Sequence, residues 1–201
     1  MDSRTNGKNR TGSCVRADLF SKPMSSVFTL TLTLSRVSNL PTVWTNCMVA
    51  WAINQSAEKI VGQTPAWHDP SFFEWSTLGW LLFGASFVYS GGCVLNDAFD
   101  YEYDQKHNPT RPIPSGAISC STVWGIGWGF LFIGSAFLIG MASCSLPLVV
   151  CLISAVFLYD WIHKKWSGSV WIMGSCRTFL WLVAASAGGM QILDHLFVCS
   201  L

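Results

Sequence analysis

Long apolar runs separated by short polar or charged segments occupy most of this chain, and the runs have the length of membrane-spanning helices. A helix that crosses a bilayer needs about 20 consecutive, mostly apolar residues. Gly84, Gly91 and Gly92 permit close packing of the second run against a neighbouring helix. The pattern predicts an all-α, transmembrane helical bundle with about five spans. The predicted spans cover residues 40–57, 76–95, two segments within the uncharged stretch 112–159 with a hairpin near 143–147, and 170–193.

The basic residues predict an orientation, because short cytoplasmic loops of membrane proteins hold an excess of Lys and Arg. The N-terminal tail and the loops after the second and fourth spans are basic, and all three lie on one side of the predicted bundle. Only Lys59 belongs to the opposite set of loops. We therefore expect an integral, multi-pass membrane protein whose N-terminus is cytoplasmic. The basic residues on that side are Arg4, Lys8, Arg10, Arg16, Lys22, Arg36, Lys106, Arg111, Lys164 and Lys165.

The N-terminal end differs from the rest in composition. Residues 1–25 are polar and basic and lack the apolar stretch of a secretory signal, which predicts a disordered tail ahead of a transmembrane domain at 26–201. A transit segment, or a protein that starts at Met24, remains an alternative. The run Val27–Leu34 alternates at the period of a strand, but an isolated strand at a membrane surface leaves its backbone groups unpaired. We interpret it as the interfacial start of the first membrane helix.

Composition supports a membrane protein and excludes some functions. The 201-residue chain is 51% hydrophobic and only 11% charged, whereas soluble domains usually have about 25% charged residues. A net charge of +1 lacks the clustered basic surface that nucleic-acid binding requires. The eight cysteines are scattered, with no CxxC pair, and are expected to be small apolar side chains on membrane helices.

Three aspartates at the foot of the second predicted span are the most informative feature. Asp97, Asp100 and Asp104 are spaced i, i+3 and i+7, which on a helix places their carboxylates within about 60° of arc on one face. Like charges at helical spacing destabilise a helix, so a cation is expected to offset them. Such oxygen ligands suit Mg²⁺, which is usually shared with substrate phosphates. The alternative is a solvated acidic helix end. The predicted orientation puts the cluster on the cytoplasmic side.

The segment 108–116 that follows the acids is predicted to be a rigid turn. Its three prolines each fix φ, and its last residue is a glycine that permits a tight bend. Arg111 is thereby held beside the carboxylates, where a guanidinium suits a diphosphate. Alternatively, Arg111 only follows the positive-inside tendency of juxtamembrane loops.

These residues carry a family resemblance. Asn96-Asp97-x-x-Asp100-x-x-x-Asp104, followed by the sequence RPIPSG at 111–116, resembles the first signature of the UbiA superfamily of intramembrane prenyltransferases. Segments 36–44, 159–164 and 173–177 are similar to other parts of that family, so the resemblance covers about residues 33–190. It implies a bundle of about nine helices in which Mg²⁺ and two aspartate motifs bind an isoprenyl diphosphate. The prenyl group is then attached to a lipophilic or aromatic acceptor.

The resemblance also implies roles for individual residues. Asn96 and the three aspartates would hold metal and diphosphate, and Arg111 would clamp phosphate. Lys164 lies near the position of a family lysine, but its spacing from Tyr159 is one residue longer than the family pattern, which leaves His163, Lys164 and Lys165 as alternatives. Arg177 is expected to be buried and to need an anionic partner, either the diphosphate or Asp160.

The sequence departs from the family in one respect. The second aspartate motif is missing, and the only acid after Asp160 is Asp194. We therefore expect the N-terminal part of a family member, an incomplete version of the nine-helix fold, with little transferase activity alone. The alternatives are a non-catalytic membrane fragment or subunit, and a membrane terpene cyclase, which uses no acceptor.

Overall fold

A computed structural model describes residues 24–62, 74–164 and 168–188. Within these ranges the chain forms seven α-helices and one short 3₁₀ helix, and no strand. The all-α class predicted from the sequence is confirmed. The α-helices are α1 (Met24–Leu34), α2 (Leu40–Gly62), α3 (Trp75–Phe99), α4 (Tyr101–His107), α5 (Cys120–Gly140), α6 (Leu146–Ile162) and α7 (Ser169–Ala185).

Five of these helices correspond to the five predicted apolar segments. They are α2, α3, α5, α6 and α7, and the predicted hairpin near 143–147 is the short connection between α5 and α6. Helices α3 and α5 are long and apolar enough to cross a bilayer, and α6 and α7 are shorter apolar helices. The crossing of the membrane by all five helices stays a prediction, as does their orientation. The end of the last predicted span, 189–193, lies outside the described residues.

Helix α1 corrects one sequence interpretation. The run Val27–Leu34 is helical as expected, but it is not the start of the first long helix. After Leu34 the backbone enters the left-handed region at Arg36 (φ 47°, ψ 47°), and a 3₁₀ turn at Val37–Asn39 precedes α2. A left-handed residue ends regular helical hydrogen bonding, so the two segments become separate helices. The predicted disordered tail lies outside the described residues except for its last two positions, which belong to α1.

Glycines bring α3 and α5 into direct backbone contact. A Cβ atom added to Gly134 of α5 would lie 2.8 Å from the backbone oxygen of Gly84, and one added to Gly91 would lie 3.0 Å from the backbone oxygen of Gly127. The absence of side chains lets the two helices approach closely over their length. Gly92 instead faces Val156 of α6. The close packing predicted for the glycines of α3 is therefore confirmed.

Helix α3 is the centre of the bundle. It packs on α5, α2 and α6, and α7 packs on α6 and α2. Its buried face includes Leu81, Val88 and Leu95, which join residues of the other four long helices in one core. The last turn of α3 is thereby fixed beside the last turn of α6 and the first turns of α2. Polar side chains at these helix ends are held close together.

Candidate active site at the end of helix α3

The three aspartates lie on a helix that bends at the middle one. Helix α3 ends at Phe99, Asp100 has φ −77° and ψ −3°, and α4 begins at Tyr101. Backbone hydrogen bonds nevertheless continue through the bend, from Asp100 N to Asn96 O (3.0 Å) and from Asp104 N to Asp100 O (2.8 Å). The three acids therefore remain on successive turns, at the end of the bundle.

Asp97 and Asp104 share one arginine. Arg111 Nη1 lies 2.6 Å from Asp104 Oδ2 and 3.5 Å from Asp97 Oδ1. The Asn108 amide also donates to Asp104 Oδ1 at 3.4 Å. The Asp104 side chain is only 2% exposed, so its charge depends on these two donors. One guanidinium nitrogen thus occupies the space between two carboxylates.

The loop that presents Arg111 is anchored on α3. Ser115 N donates to Arg111 O at 2.9 Å, and Arg111 N donates to Asn108 O at 3.1 Å, so the segment 108–116 is a series of tight turns. Ile113 and Ile118 are buried and pack with residues of the last turns of α3. The rigid turn predicted from the prolines is therefore present, and it holds Arg111 over the acids.

Asp100 is paired on the other side, with the end of α6. His163 Nε2 lies 3.0 Å from Asp100 Oδ1, and Lys164 Nζ lies 3.3 Å from Asp100 Oδ2. The His163 ring stacks on Tyr159, with ring centroids 5.2 Å apart, and the Lys164 ammonium lies 4.3 Å from the centroid of the Tyr103 ring. The sequence left three residues open as the one that contacts diphosphate, and two of them, His163 and Lys164, therefore contact Asp100 of the acid cluster. The third, Lys165, lies outside the described residues.

A cavity of about 440 Å³ opens beside this cluster, between α2, α3, α6 and α7. Most of its wall is apolar, but several polar residues also line it, among them Arg36, Asn96, Asp160 and Arg177. Asn96 Nδ2 donates to Asp160 Oδ1 at 3.1 Å, which links α3 to α6 next to the acids. Asn96 therefore faces the cavity, as its predicted role in ligand binding requires.

Comparison with known proteins agrees with the motif. A family model described as the UbiA prenyltransferase family matches residues 60–201. The chain belongs to the UbiA prenyltransferase family. Among its curated relatives, digeranylgeranylglyceryl phosphate synthase of Methanobrevibacter smithii is 37% identical over 82 residues, which are 39% of this chain and 29% of that protein. The enzyme of the same name from Methanococcus aeolicus is 27% identical over 138 residues, 65% of this chain and 48% of that protein.

A solved structure supports the fold. A chain described as digeranylgeranylglyceryl phosphate synthase in membranes superimposes with a TM-score of 0.66 at 24% identity, over 88% of this chain and 59% of that chain. The chain thus has the helical fold of a membrane prenyltransferase. It spans less than half of the length of either of these curated relatives.

The burial of two of the acids argues against one alternative. A solvated helix end would leave the carboxylates in water, but Asp100 is 5% and Asp104 is 2% exposed. UbiA-family prenyltransferases generally use Mg²⁺, and carboxylate oxygens are suitable ligands for it. In the part of the chain that the structure describes, no three His, Cys, Asp or Glu side chains form a ready-made metal site. Mg²⁺ needs only one or two protein carboxylates, with water and phosphate completing its shell, so the carboxylates of this cluster fit it.

Two residues at the site were given no ligand-binding role by the sequence argument. Arg36 lies 3.6 Å from Asp97 and lines the cavity, in a left-handed conformation that is uncommon for a residue other than glycine. Asp160 lies buried at the cavity wall. The position of Arg36, a basic residue just before the first predicted span, could have indicated its role. The position of Asp160, an isolated acid in the last turn of an apolar run, could have indicated its role as well.

Arg177 corrects another expectation. The sequence predicted a buried arginine, but the residue is exposed on α7. The reason is that α7 packs on its neighbours mainly through its C-terminal half, where Val183 and Ala184 are buried. Arg177 still lines the cavity together with Asp160, so its predicted role in ligand binding stays a prediction.

Proposed function

We propose that this chain acts as a membrane prenyltransferase that binds an isoprenyl diphosphate with Mg²⁺ at the end of α3 and transfers the isoprenyl group to a lipophilic or aromatic acceptor. The observation that carries the proposal is the arrangement of charges there. Three carboxylates lie within ion-pair distance of Arg36, Arg111, His163 and Lys164. A cavity that could receive substrate adjoins them.

This arrangement fits the demands of the reaction. Diphosphate leaves readily only when cations neutralise the charge that develops on it. Asp97, Asp100 and Asp104 would hold Mg²⁺, which when bound supplies most of that positive charge. Arg111 and Lys164 supply more, because their side chains are 41% and 40% exposed and can turn from the carboxylates towards a diphosphate.

The cavity wall suits the organic part of the substrates. Val88, Leu152 and Val156 give it an apolar surface, and the ring of Tyr159 lies close to the cation-binding end. An aromatic ring attracts a cation through its quadrupole, and an apolar wall shields a reactive carbocation from water. We place this end of the bundle on the cytoplasmic side, following the distribution of basic residues.

The relatives indicate which acceptor to test first. Those from Methanobrevibacter smithii and Methanopyrus kandleri are named digeranylgeranylglyceryl phosphate synthase. For this chain we propose a lipid with a glyceryl phosphate head as the first acceptor and geranylgeranyl diphosphate as the first donor. Because the chain contains one aspartate motif, donor binding and transfer should be measured separately.

The donor experiment uses the purified 201-residue chain in lipid nanodiscs. Titration with geranylgeranyl diphosphate should show binding that requires Mg²⁺. Asp97→Asn should weaken it by about 10-fold or more, because a charged ligand to the metal is lost. The matched control is Glu102→Gln, which removes an exposed carboxylate outside the cluster and should leave binding unchanged. Binding without Mg²⁺, or equal binding by Asp97→Asn, would refute the proposed site.

The transfer experiment adds geranylgeranylglyceryl phosphate to the same samples and analyses the products. A doubly prenylated lipid supports a transferase. A cyclic hydrocarbon formed without acceptor would indicate a terpene cyclase instead. Donor binding without any product would indicate a non-catalytic subunit or fragment.

A further inference from the structure

We propose that Asp160 binds the acceptor, by accepting a hydrogen bond from its free hydroxyl group. This inference rests on the proposed function and extends it to the second substrate. Asp160 is 4% exposed and lines the cavity. Its Oδ1 accepts a hydrogen bond from Asn96, but its Oδ2 has no hydrogen-bond partner within the described residues.

A buried carboxylate oxygen without a partner is costly, and each such group in a native structure has a cause, such as strain, a functional role or a bound water or ion. A basic side chain does not supply the partner here, because no ion pair joins Asp160 to Arg, Lys or His among residues 24–62, 74–164 and 168–188. A carboxylate accepts hydrogen bonds and donates none. A ligand that completes the ionised form of Asp160 therefore brings an O–H or N–H group.

Two basic residues of the cavity wall define the other part of that ligand. Arg36 and Arg177 line it with Asp160. Two guanidinium groups attract an anion such as a phosphate. This lining suits one molecule that carries both a hydroxyl and a phosphate, and the apolar wall formed by Leu152 and Leu180 suits a hydrocarbon chain. A lipid with a glyceryl phosphate head and one free hydroxyl has this chemistry.

The position of Asp160 also fits an acceptor. Asn96 donates to it at 3.1 Å, and Asn96 directly precedes Asp97 of the acid cluster. A hydroxyl held at Asp160 is therefore close to a diphosphate held at that cluster, and on the cavity side of it. The two substrates would occupy adjoining parts of one cavity.

The test compares two lipids on the purified chain in nanodiscs. One is geranylgeranylglyceryl phosphate, and the other is the same lipid with its hydroxyl converted to a methyl ether, which cannot donate. The wild type should bind the hydroxyl lipid about 10-fold or more tightly than the ether, because the lost hydrogen bond is made to a charged group. Asp160→Leu removes the acceptor oxygens at similar volume and should bind both lipids equally.

A second variant covers the case in which Asp160→Leu does not fold. Asp160→Asn keeps one acceptor oxygen and should show a reduced preference for the hydroxyl lipid. An unchanged preference in either variant would overturn the inference, and so would equal binding of both lipids, or of neither, by the wild type. Geranylgeranyl diphosphate is titrated in parallel. Asp160 variants should retain Mg²⁺-dependent binding of this diphosphate. If the wild type does not bind the diphosphate, the proposed function is refuted. The comparison of the two lipids tests the role of Asp160 separately.

Discussion

Arg111 and Asp104 form the shortest polar contact of the site, with 2.6 Å between Nη1 and Oδ2. They are seven residues apart, and the turns of the 108–116 loop bring them together. The carboxylate is almost completely buried, while the guanidinium reaches solvent. A ligand that displaces Arg111 must therefore leave a cation in its place at Asp104. Because the contact forms only when the 108–116 loop is folded, the fold of this loop determines whether the Asp104 charge is neutralised.

Removing this arginine is expected to destabilise the chain. Arg111→Ala leaves the Asp104 carboxylate buried without its ionic partner, which typically costs about 1–3 kcal/mol. Thermal unfolding in nanodiscs should show a lower midpoint for this variant, and Lys106→Ala, an exposed charge on α4, should change it little. The double variant Arg111→Ala/Asp104→Asn should recover part of the loss, because the unpaired charge is gone. Equal stability of Arg111→Ala and wild type would contradict this account.

The glycine contact between α3 and α5 gives a second prediction. A Cβ at Gly134 would lie 2.8 Å from the Gly84 oxygen and 2.8 Å from Val88 atoms, so Gly134→Ala should force the helices apart and cost about 1–3 kcal/mol. Gly129→Ala is the matched control on the same helix, since nothing lies within 4 Å of its Cβ. It should be neutral or slightly stabilising, because alanine favours helix. The same midpoint for both variants would show that the close approach is unimportant.

The orientation in the membrane gives a third prediction. If basic loops are cytoplasmic, a cysteine at position 106 reacts with an impermeant thiol reagent from the cytoplasmic side, and a cysteine at position 59 reacts from the other side. A background in which the eight native cysteines are replaced by alanine or serine keeps the label specific. Labelling of Lys106→Cys and Lys59→Cys from the same side would refute the proposed topology.

The spacing of the aspartates predicted part of their arrangement. On a regular helix, residues seven apart are offset by about 20°, whereas residues three apart are offset by about 60°. The observed sharing of Arg111 by Asp97 and Asp104 follows from that difference. The backbone bend at Asp100 could not be predicted from the spacing. Asp100 is also the aspartate that contacts His163 and Lys164 at the end of α6.

The remaining contacts depend on residues far apart in sequence. Asn96 meets Asp160 across 64 positions, and His163 meets Asp100 only because α6 packs beside α3. Periodicity predicts which segments are helices but not which helices are neighbours. The family resemblance included segments 36–44 and 159–164, which contain Arg36 and Asp160, but only the packing showed that these two side chains line the cavity beside the acids.

The structure distinguishes between the two side chains that contact Asp100. His163 is only 12% exposed, stacks on Tyr159 and has its Nδ1 3.1 Å from the Asp160 backbone oxygen, so its ring is fixed on both sides. Lys164 is 40% exposed and has a long side chain. We therefore expect Lys164 to contact the diphosphate and His163 to hold Asp100 in position.

Lys164→Met should weaken binding of geranylgeranyl diphosphate by about 10-fold or more, because a charge-assisted hydrogen bond is lost, and it should leave the thermal midpoint nearly unchanged. His163→Asn removes the ring stacked on Tyr159, so it should lower the midpoint of thermal unfolding and weaken diphosphate binding less than Lys164→Met does. Lys165→Met tests the third residue that the sequence left open. Titration and thermal unfolding of all three variants give the comparison. The roles are reversed if His163→Asn loses affinity at an unchanged midpoint, because a side chain that only positions Asp100 cannot be removed without cost to the fold.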